Sequence, residues 1–298
     1  VQIKIENRLI IPELLSLSGV EIIGKDIFVT GDNLPNLYKI NEKGKILKSF
    51  TLIPKTEFEG GLMPKHLKPD FEGMCKVKFE SGYFLLIFGS GSKSPQRDVL
   101  FVVNPEDKMD VKKHSLFDFY SHLRIQGNIS SADLNIEAAL YYEGKILLFN
   151  RGNNFIIEFT LEDLFQHLEN KNSFTTGGSN YNPVFKFYQI FLPVLKNIPA
   201  GFSGADIFED RIIFTASVEN TFNWVDDGEV LGSYLGFISL KNLKDKYTPP
   251  CKLIEENGEI LKLKIESVAI KKVSPNGTEL ILVSDSDGGN SEIIFCRV

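Results

Sequence analysis

Five short segments of the chain repeat one chemical pattern: a large apolar residue, then Ser or Glu, then a small residue, then an apolar one. They are Leu17-Ser18-Gly19-Val20, Phe71-Glu72-Gly73-Met74, Ile136-Glu137-Ala138-Ala139, Phe202-Ser203-Gly204-Ala205 and Ile265-Glu266-Ser267-Val268. A fold that gathers the second positions brings the carboxylates of Glu72, Glu137 and Glu266 together with the hydroxyls of Ser18 and Ser203. Carboxylates so placed repel one another unless a metal ion, protons or a cationic ligand offsets the charge. Hard oxygen donors of this kind suit calcium or magnesium rather than zinc. The alternative is structural, with each Glu accepting backbone N–H groups of a neighbouring unit and no ligand involved.

Loops downstream of these segments supply further chemistry. Gly89-Ser90-Gly91-Ser92 leads to Arg97, and Asn150-Arg151 follows another apolar run. The two arginines, helped by Ser90, Ser92 and Asn150, have the fork geometry to grip a phosphate or carboxylate. Later loops are acidic instead: Glu219, Asp226, Asp227 and Glu229 surround the sole Trp, Trp224, and Asp285 and Asp287 lie near the end. A cation among the acids and an anion on the arginines would make a metal-assisted hydrolytic site. Asp, Asn, Gly and Ser are also what tight turns require, so turn chemistry alone is the competing reading.

Several established chemistries are missing. The Gly89–Ser94 run lacks the Gly-Lys-Ser/Thr ending of a phosphate-binding loop. No Gly-x-Ser-x-Gly elbow stands on a strand-to-helix turn. The four histidines (His66, His114, His122, His167) show no metal-pairing spacing. Cys75, Cys251 and Cys296 form neither a disulfide framework nor a zinc motif, and fit a reducing compartment and an exported protein equally well. With 33 Lys+Arg against 39 Asp+Glu the net charge is −6, and no basic block favours nucleic acid or an anionic membrane. No apolar run reaches the roughly 20 residues of a membrane span.

Positioning these residues falls to β-strands. Short β-branched and aromatic runs, such as Asp26–Thr30, Tyr83–Phe88, Val99–Val103, Lys145–Phe149, Arg211–Ala216 and Glu279–Val283, alternate with Gly, Asn, Asp and Pro clusters. Asn276-Gly277-Thr278 reads as a hairpin turn rather than a glycosylation site. Helical spacing appears over Leu161–Glu169, and a short aromatic candidate over Ser115–Leu123.

The five-fold motif recurs at intervals of roughly 50–66 residues, each copy opening a unit of about four strands, which predicts an all-β, five-bladed β-propeller in one domain, 1–298. The blades run Ser18–Leu52, Asp70–Leu123, Asn135–Pro193, Phe202–Leu263 and Ile265–Val298, the last completed by Val1–Ile11. An N-terminal strand closing the final blade removes an open edge. Extra strands within Tyr120–Leu134 or Ser173–Pro193 would make six blades.

Pro69-Asp70-Phe71-Glu72-Gly73-Met74, with echoes at Glu137 and Glu266 and the late Ser284-Asp285-Ser286-Asp287, resembles the Asp-hydrophobic-Glu-Gly signature of the phytase-like propellers, including the SdiA-regulated bacterial group. That resemblance implies a channel that binds calcium or a ligand, with Glu72 as the best match. Two functions follow: a non-enzymatic binding propeller for a small anionic molecule or sugar, or a calcium-dependent hydrolase of a small anionic ester or phosphoester. Neither oligomeric state nor compartment is legible.

Overall fold

The structure is a computed structural model that describes residues 2–54, 63–64, 67–106, 110–170, 182–221, 228–285 and 290–298. The described strands form five four-stranded antiparallel blades. Strand β1 (Lys4–Ile11) belongs to the last blade. Blade one holds β2 (Leu17–Ile23), β3 (Asp26–Gly31), β4 (Asn36–Ile40) and β5 (Ile46–Thr51). Blade two holds β6 (Phe71–Phe79), β7 (Gly82–Gly89), β8 (Val99–Asn104) and β9 (Asp110–Ser115). Helix α1 (Phe117–Gly127) precedes blade three, which comprises β10 (Ile136–Tyr142), β11 (Lys145–Asn150), β12 (Phe155–Thr160) and β13 (Lys186–Gln189), with α2 (Leu161–Asn170) after β12. A small hairpin, β14 (Val194–Leu195) and β15 (Ile198–Pro199), leads to blade four: β16 (Gly201–Phe208), β17 (Arg211–Asn220), β18 (Glu229–Ser239) and β19 (Cys251–Leu253). A second hairpin, β20 (Glu255–Glu256) and β21 (Glu259–Ile260), precedes blade five: β22 (Lys264–Ser274), β23 (Gly277–Asp285), β24 (Ser291–Arg297) and, from the other end of the chain, β1.

The predicted closure is therefore present, with Ile5 opposite Cys296 and Ile11 opposite Ser291. Five apolar cores fill the five blade interfaces, one between each neighbouring pair. Burial on both faces explains why the inner strands read as near-continuous apolar runs. Aromatic edges lock these interfaces: Phe149 of blade three meets Phe202 of blade four with ring centroids 5.1 Å apart.

The repeated motif has a common backbone cause. In every blade the innermost strand carries a β-bulge, between Leu17 and Gly19, Phe71 and Gly73, Ile136 and Ala138, Phe202 and Gly204, and Ile265 and Ser267. The Ser or Glu is the extra residue of the bulge, without a cross-strand partner and so re-aimed. The small third residue is where inner strands crowd together: a Cβ on Gly204 would lie 2.5 Å from Ser267 Cα of the next blade.

The stretch read as a possible hidden strand before blade three is instead α1 and a turn, packed by Phe119, Tyr120 and Leu123 against the interface of blades two and three. Helix α2 starts on a capping box, with Asp163 N–H donating to Thr160 Oγ1 (3.0 Å) and Thr160 N–H to Asp163 Oδ2 (3.2 Å). Among the described residues no helix is long and apolar enough to cross a membrane.

Candidate functional site

The five bulges open one end of the central channel, and the residues two positions before them reach the same place. Those residues are Ser16, Asp70, Asn135, Gly201 and Lys264. Asp70 has a left-handed backbone (φ 60°), an uncommon conformation for a side-chain-bearing residue that Asp tolerates better than most. That turn directs its carboxylate to the Gly/Ser loop of blade two. Ser90 Oγ donates to Asp70 Oδ2 (2.7 Å), and Arg97 pairs with the same oxygen while donating to Ser92 Oγ (2.7 Å). Lys68 bridges Asp70 (3.2 Å) and Asp32 of blade one. The loop is held by α1: Arg124 donates to Gly91 O (2.8 Å) and pairs with Asp98 (3.1 Å), and Tyr120 OH donates to Gly89 O (2.9 Å).

Across the channel, Arg151 pairs with Glu219 (2.8 Å) and more distantly with Glu137 (3.8 Å), and donates to Ser217 Oγ (2.8 Å). Asn135 Nδ2 donates to Glu137 Oε1 (2.6 Å). Lys264 pairs with Glu266 (2.9 Å) and Glu219 (3.1 Å). Six carboxylates (Asp32, Asp70, Glu72, Glu137, Glu219, Glu266) thus share the mouth with four cations (Lys68, Arg97, Arg151, Lys264), so negative charge is in excess.

Glu72 bears that excess. Among the described residues it has neither a hydrogen bond nor an ion pair, and the carboxylates of Glu137, Asp70, Glu266 and Asp32 surround it. Burial, followed by those four charges, pushes its carboxyl well above the ordinary range. Burial likewise lifts Glu266 to about 8, Glu137 to about 7 and Asp32 to about 6, against the partial relief of Lys264, Arg151 and Lys68 respectively. Glu219 differs: burial would raise it, but Arg151 and Lys264 outweigh that and hold it below the usual carboxylate range. Glu266 Oε2 and Asp32 Oδ1 are buried without a hydrogen-bond partner.

These contacts revise the expected site. Arg97 and Arg151 do reach the mouth, and each guanidinium faces a carboxylate, Asp70 and Glu219 respectively. Glu137 accepts from Asn135 and Glu266 pairs with Lys264, and neither belongs with Glu72 to a group of carboxylates close enough to share one ion among the described residues. The group of three whose oxygens lie within 4.8 Å of one another, among the described residues, is Asp32, Asp70 and Glu72. Ser90 and Ser92 stand beside Asp70 as hydroxyl donors. Asn150 is fully buried and clamps its own loop, accepting from Asn135 N–H (2.6 Å) and donating to Asp133 O (2.8 Å), instead of facing a ligand. Glu229 is exposed, opposite Asn220 at the start of β18. Asp285 ends β23 with its charge felt by Asp32. Asp226, Asp227, Asp287, Trp224 and His66 lie outside the described residues.

The motif glutamates make no hydrogen bond to a neighbouring blade's backbone N–H among the described residues; that capping is made instead by acids three residues beyond the bulge. Glu21 Oε1 accepts Lys76 N–H of blade two (3.2 Å), and Asp206 Oδ2 accepts Ile270 N–H of blade five (2.7 Å). Among the bulge residues it is Ser18 that reaches the next blade, donating to Phe71 O. Lys68, Lys264, Glu21 and Asp206 escaped the sequence reading, and Asp70 entered it only as part of the Asp-hydrophobic-Glu-Gly signature. Aligning the five motifs and reading two residues upstream exposes Asp70, Asn135 and Lys264 as a polar column.

Similar folds occur in solved structures. The tail fibre of Staphylococcus aureus phage P68 aligns with a TM-score of 0.50 and 12% identity, over 99% of this chain and 52% of that one. The Myxococcus xanthus glutaminyl cyclase aligns at 0.49 and 10% identity, over 99% and 97%. The Cellvibrio cellulosa α-L-arabinanase complexed with arabinohexaose aligns at 0.46 and 9%, over 99% and 91%. Identities this low speak to fold alone. No curated protein matches the sequence significantly. Residues 13–298 match a family of unknown function, DUF6929, and the chain belongs to that family.

Proposed function

We propose that the protein is a non-enzymatic binding propeller whose channel mouth takes up a small hard cation, calcium by its donor chemistry, on Glu72 with Asp32 and Asp70. The observation that carries this reading is the unpartnered Glu72 carboxylate ringed by four others. A bound divalent cation would relieve that repulsion directly, and oxygen-only donors of this kind suit calcium. The resemblance of Pro69–Met74 to the phytase-like propellers supports the same residue, since it implies a Glu facing a calcium- or ligand-binding channel. Binding is preferred to hydrolysis because the arginines expected to hold an anionic substrate face Asp70 and Glu219.

The test is thermal unfolding at pH 8 with increasing calcium, since a ligand that binds the native state raises the melting temperature with concentration. The wild type is expected to show a saturable rise that Glu72→Gln abolishes. Equal response of both proteins, or none in either, overturns the reading. Calcium-dependent turnover across a phosphoester and ester panel, lost in Glu72→Gln, would replace binding with hydrolysis.

A further inference from the structure

On the face away from the mouth, blades four and five enclose a cavity of about 340 Å³. Its walls are apolar, built from Phe208, Ile213, Phe237, Val273 and Pro250, with the half-buried Tyr247 to one side. No acidic side chain lines it, although the chain as a whole carries a net charge of −6. Its charged side chain is Arg211, at the start of β17, and Ser239, Asn242 and Thr278 add neutral polar groups.

Arg211 stands apart from the other arginines. The chain has six. Arg8 pairs with Glu256 and Glu292, Arg97 with Asp70, Arg124 with Asp98, Arg151 with Glu219, and Arg297 with Glu6 and Glu279. Arg211 alone has no carboxylate partner among the described residues. The neighbouring Asp210 does not pair with it: its carboxylate accepts from Ser239 Oγ at the cavity edge (3.3 Å) and meets Lys241 (3.4 Å). Small-ligand sites are typically concave apolar pockets of this volume with a few polar groups that fix orientation. A guanidinium without a counter-charge beside such walls offers two donors to a planar anion.

We infer that this cavity binds a small amphipathic carboxylate, its apolar body against Phe208 and Phe237 and its head on Arg211. The site is independent of the channel mouth, so it stands or falls separately from cation binding there.

Calorimetric titration of the full chain with 4-phenylbutyrate, 4-phenyl-1-butanol and acetate tests it. Saturable binding of phenylbutyrate is expected, with the alcohol and acetate each at least about tenfold weaker because one lacks the charge and the other the apolar body. Arg211→Gln, an exposed position whose change leaves the melting temperature unaltered, lowers phenylbutyrate affinity by about tenfold. Val273→Glu, which sets a carboxylate on the wall beside Arg211, competes with the ligand and also weakens it, while Glu72→Gln leaves it unchanged. The inference is overturned if the alcohol binds as tightly as the acid, if Arg211→Gln has no effect, or if none of the three probes binds saturably.

Discussion

Two groups of buried charges line the central channel, and they are built to opposite standards. Towards the far ends of the inner strands, Glu21 of blade one and Asp206 of blade four flank Lys76 of blade two. Glu21 accepts Lys76 Nζ (2.7 Å) and the N–H groups of Lys76 (3.2 Å) and Ile22 (3.1 Å). Asp206 accepts the N–H groups of Ile207 (2.7 Å) and Ile270 (2.7 Å) and lies 3.7 Å from Lys76. Every carboxylate oxygen there has a donor, and each carboxylate takes at least one donor from another blade. At the mouth the carboxylates outnumber the cations, Glu72 has no partner among the described residues, and Glu266 Oε2 and Asp32 Oδ1 are orphaned. A satisfied buried network specifies geometry, whereas an unsatisfied one is costly and calls for an explanation. The far group is a tie between blades; the mouth, on the function proposed above, is completed by a cation.

The sharpest way to break this contrast is at the tie. Lys76→Met leaves Glu21 and Asp206 facing each other with no cation, and should cost about 3 kcal/mol by chemical denaturation, since breaking a buried pair strands its partner. Should stability hold, the far group is not the tie described.

Next comes pH. Asp32, Glu137 and Glu266 are raised from their ordinary values to about 6, 7 and 8 in the folded chain. Their protons are bound more tightly folded than unfolded, so the stability they contribute is complete below about pH 4 and is lost as pH rises through 6 to 8. Glu219, shifted the other way, contributes stability that is present above its ordinary range and is lost only at acid pH. Without added metal, unfolding free energy should fall by on the order of 2 kcal/mol between pH 5 and pH 8. Saturating calcium should flatten that dependence. A metal-free protein equally stable at both pH values would show that the mouth is already neutralised.

A smaller effect of unusual sign is expected of Glu72→Gln. Removing the unpartnered charge should stabilise the metal-free protein at pH 8 by about 1 kcal/mol, where a structural Glu would destabilise on loss. The smallest is Ser18→Ala, which loses the hydrogen bond to Phe71 O and should cost about 0.5–1 kcal/mol without altering any calcium response.

The ring of five blades was legible because the bulged inner strand imposes the same residue classes five times. Its outer strands were not. Ile46–Thr51 and Asp110–Ser115 are edge strands, each carrying Lys and largely exposed, which protects the sheet edge and erases the apolar alternation that marks a strand. The mouth was half legible. Glu72, Glu137 and Glu266 stood out by repetition, and Arg97 and Arg151 by their loops. What could not be read was pairing: that Arg97 faces Asp70 and Arg151 faces Glu219 depends on contacts across 27 and 68 residues of chain. An ion pair between distant segments leaves no local pattern. The pairing of Lys68 with Asp32 was hidden for the same reason.

The central claim is that the mouth holds a cation on Glu72, Asp32 and Asp70. An anomalous-difference map from crystals grown with calcium tests it most directly. The account predicts a peak within coordinating distance of those three carboxylates, absent in Glu72→Gln crystals. A mouth that shows no peak at saturating calcium, with Glu72 still unpartnered, would contradict it.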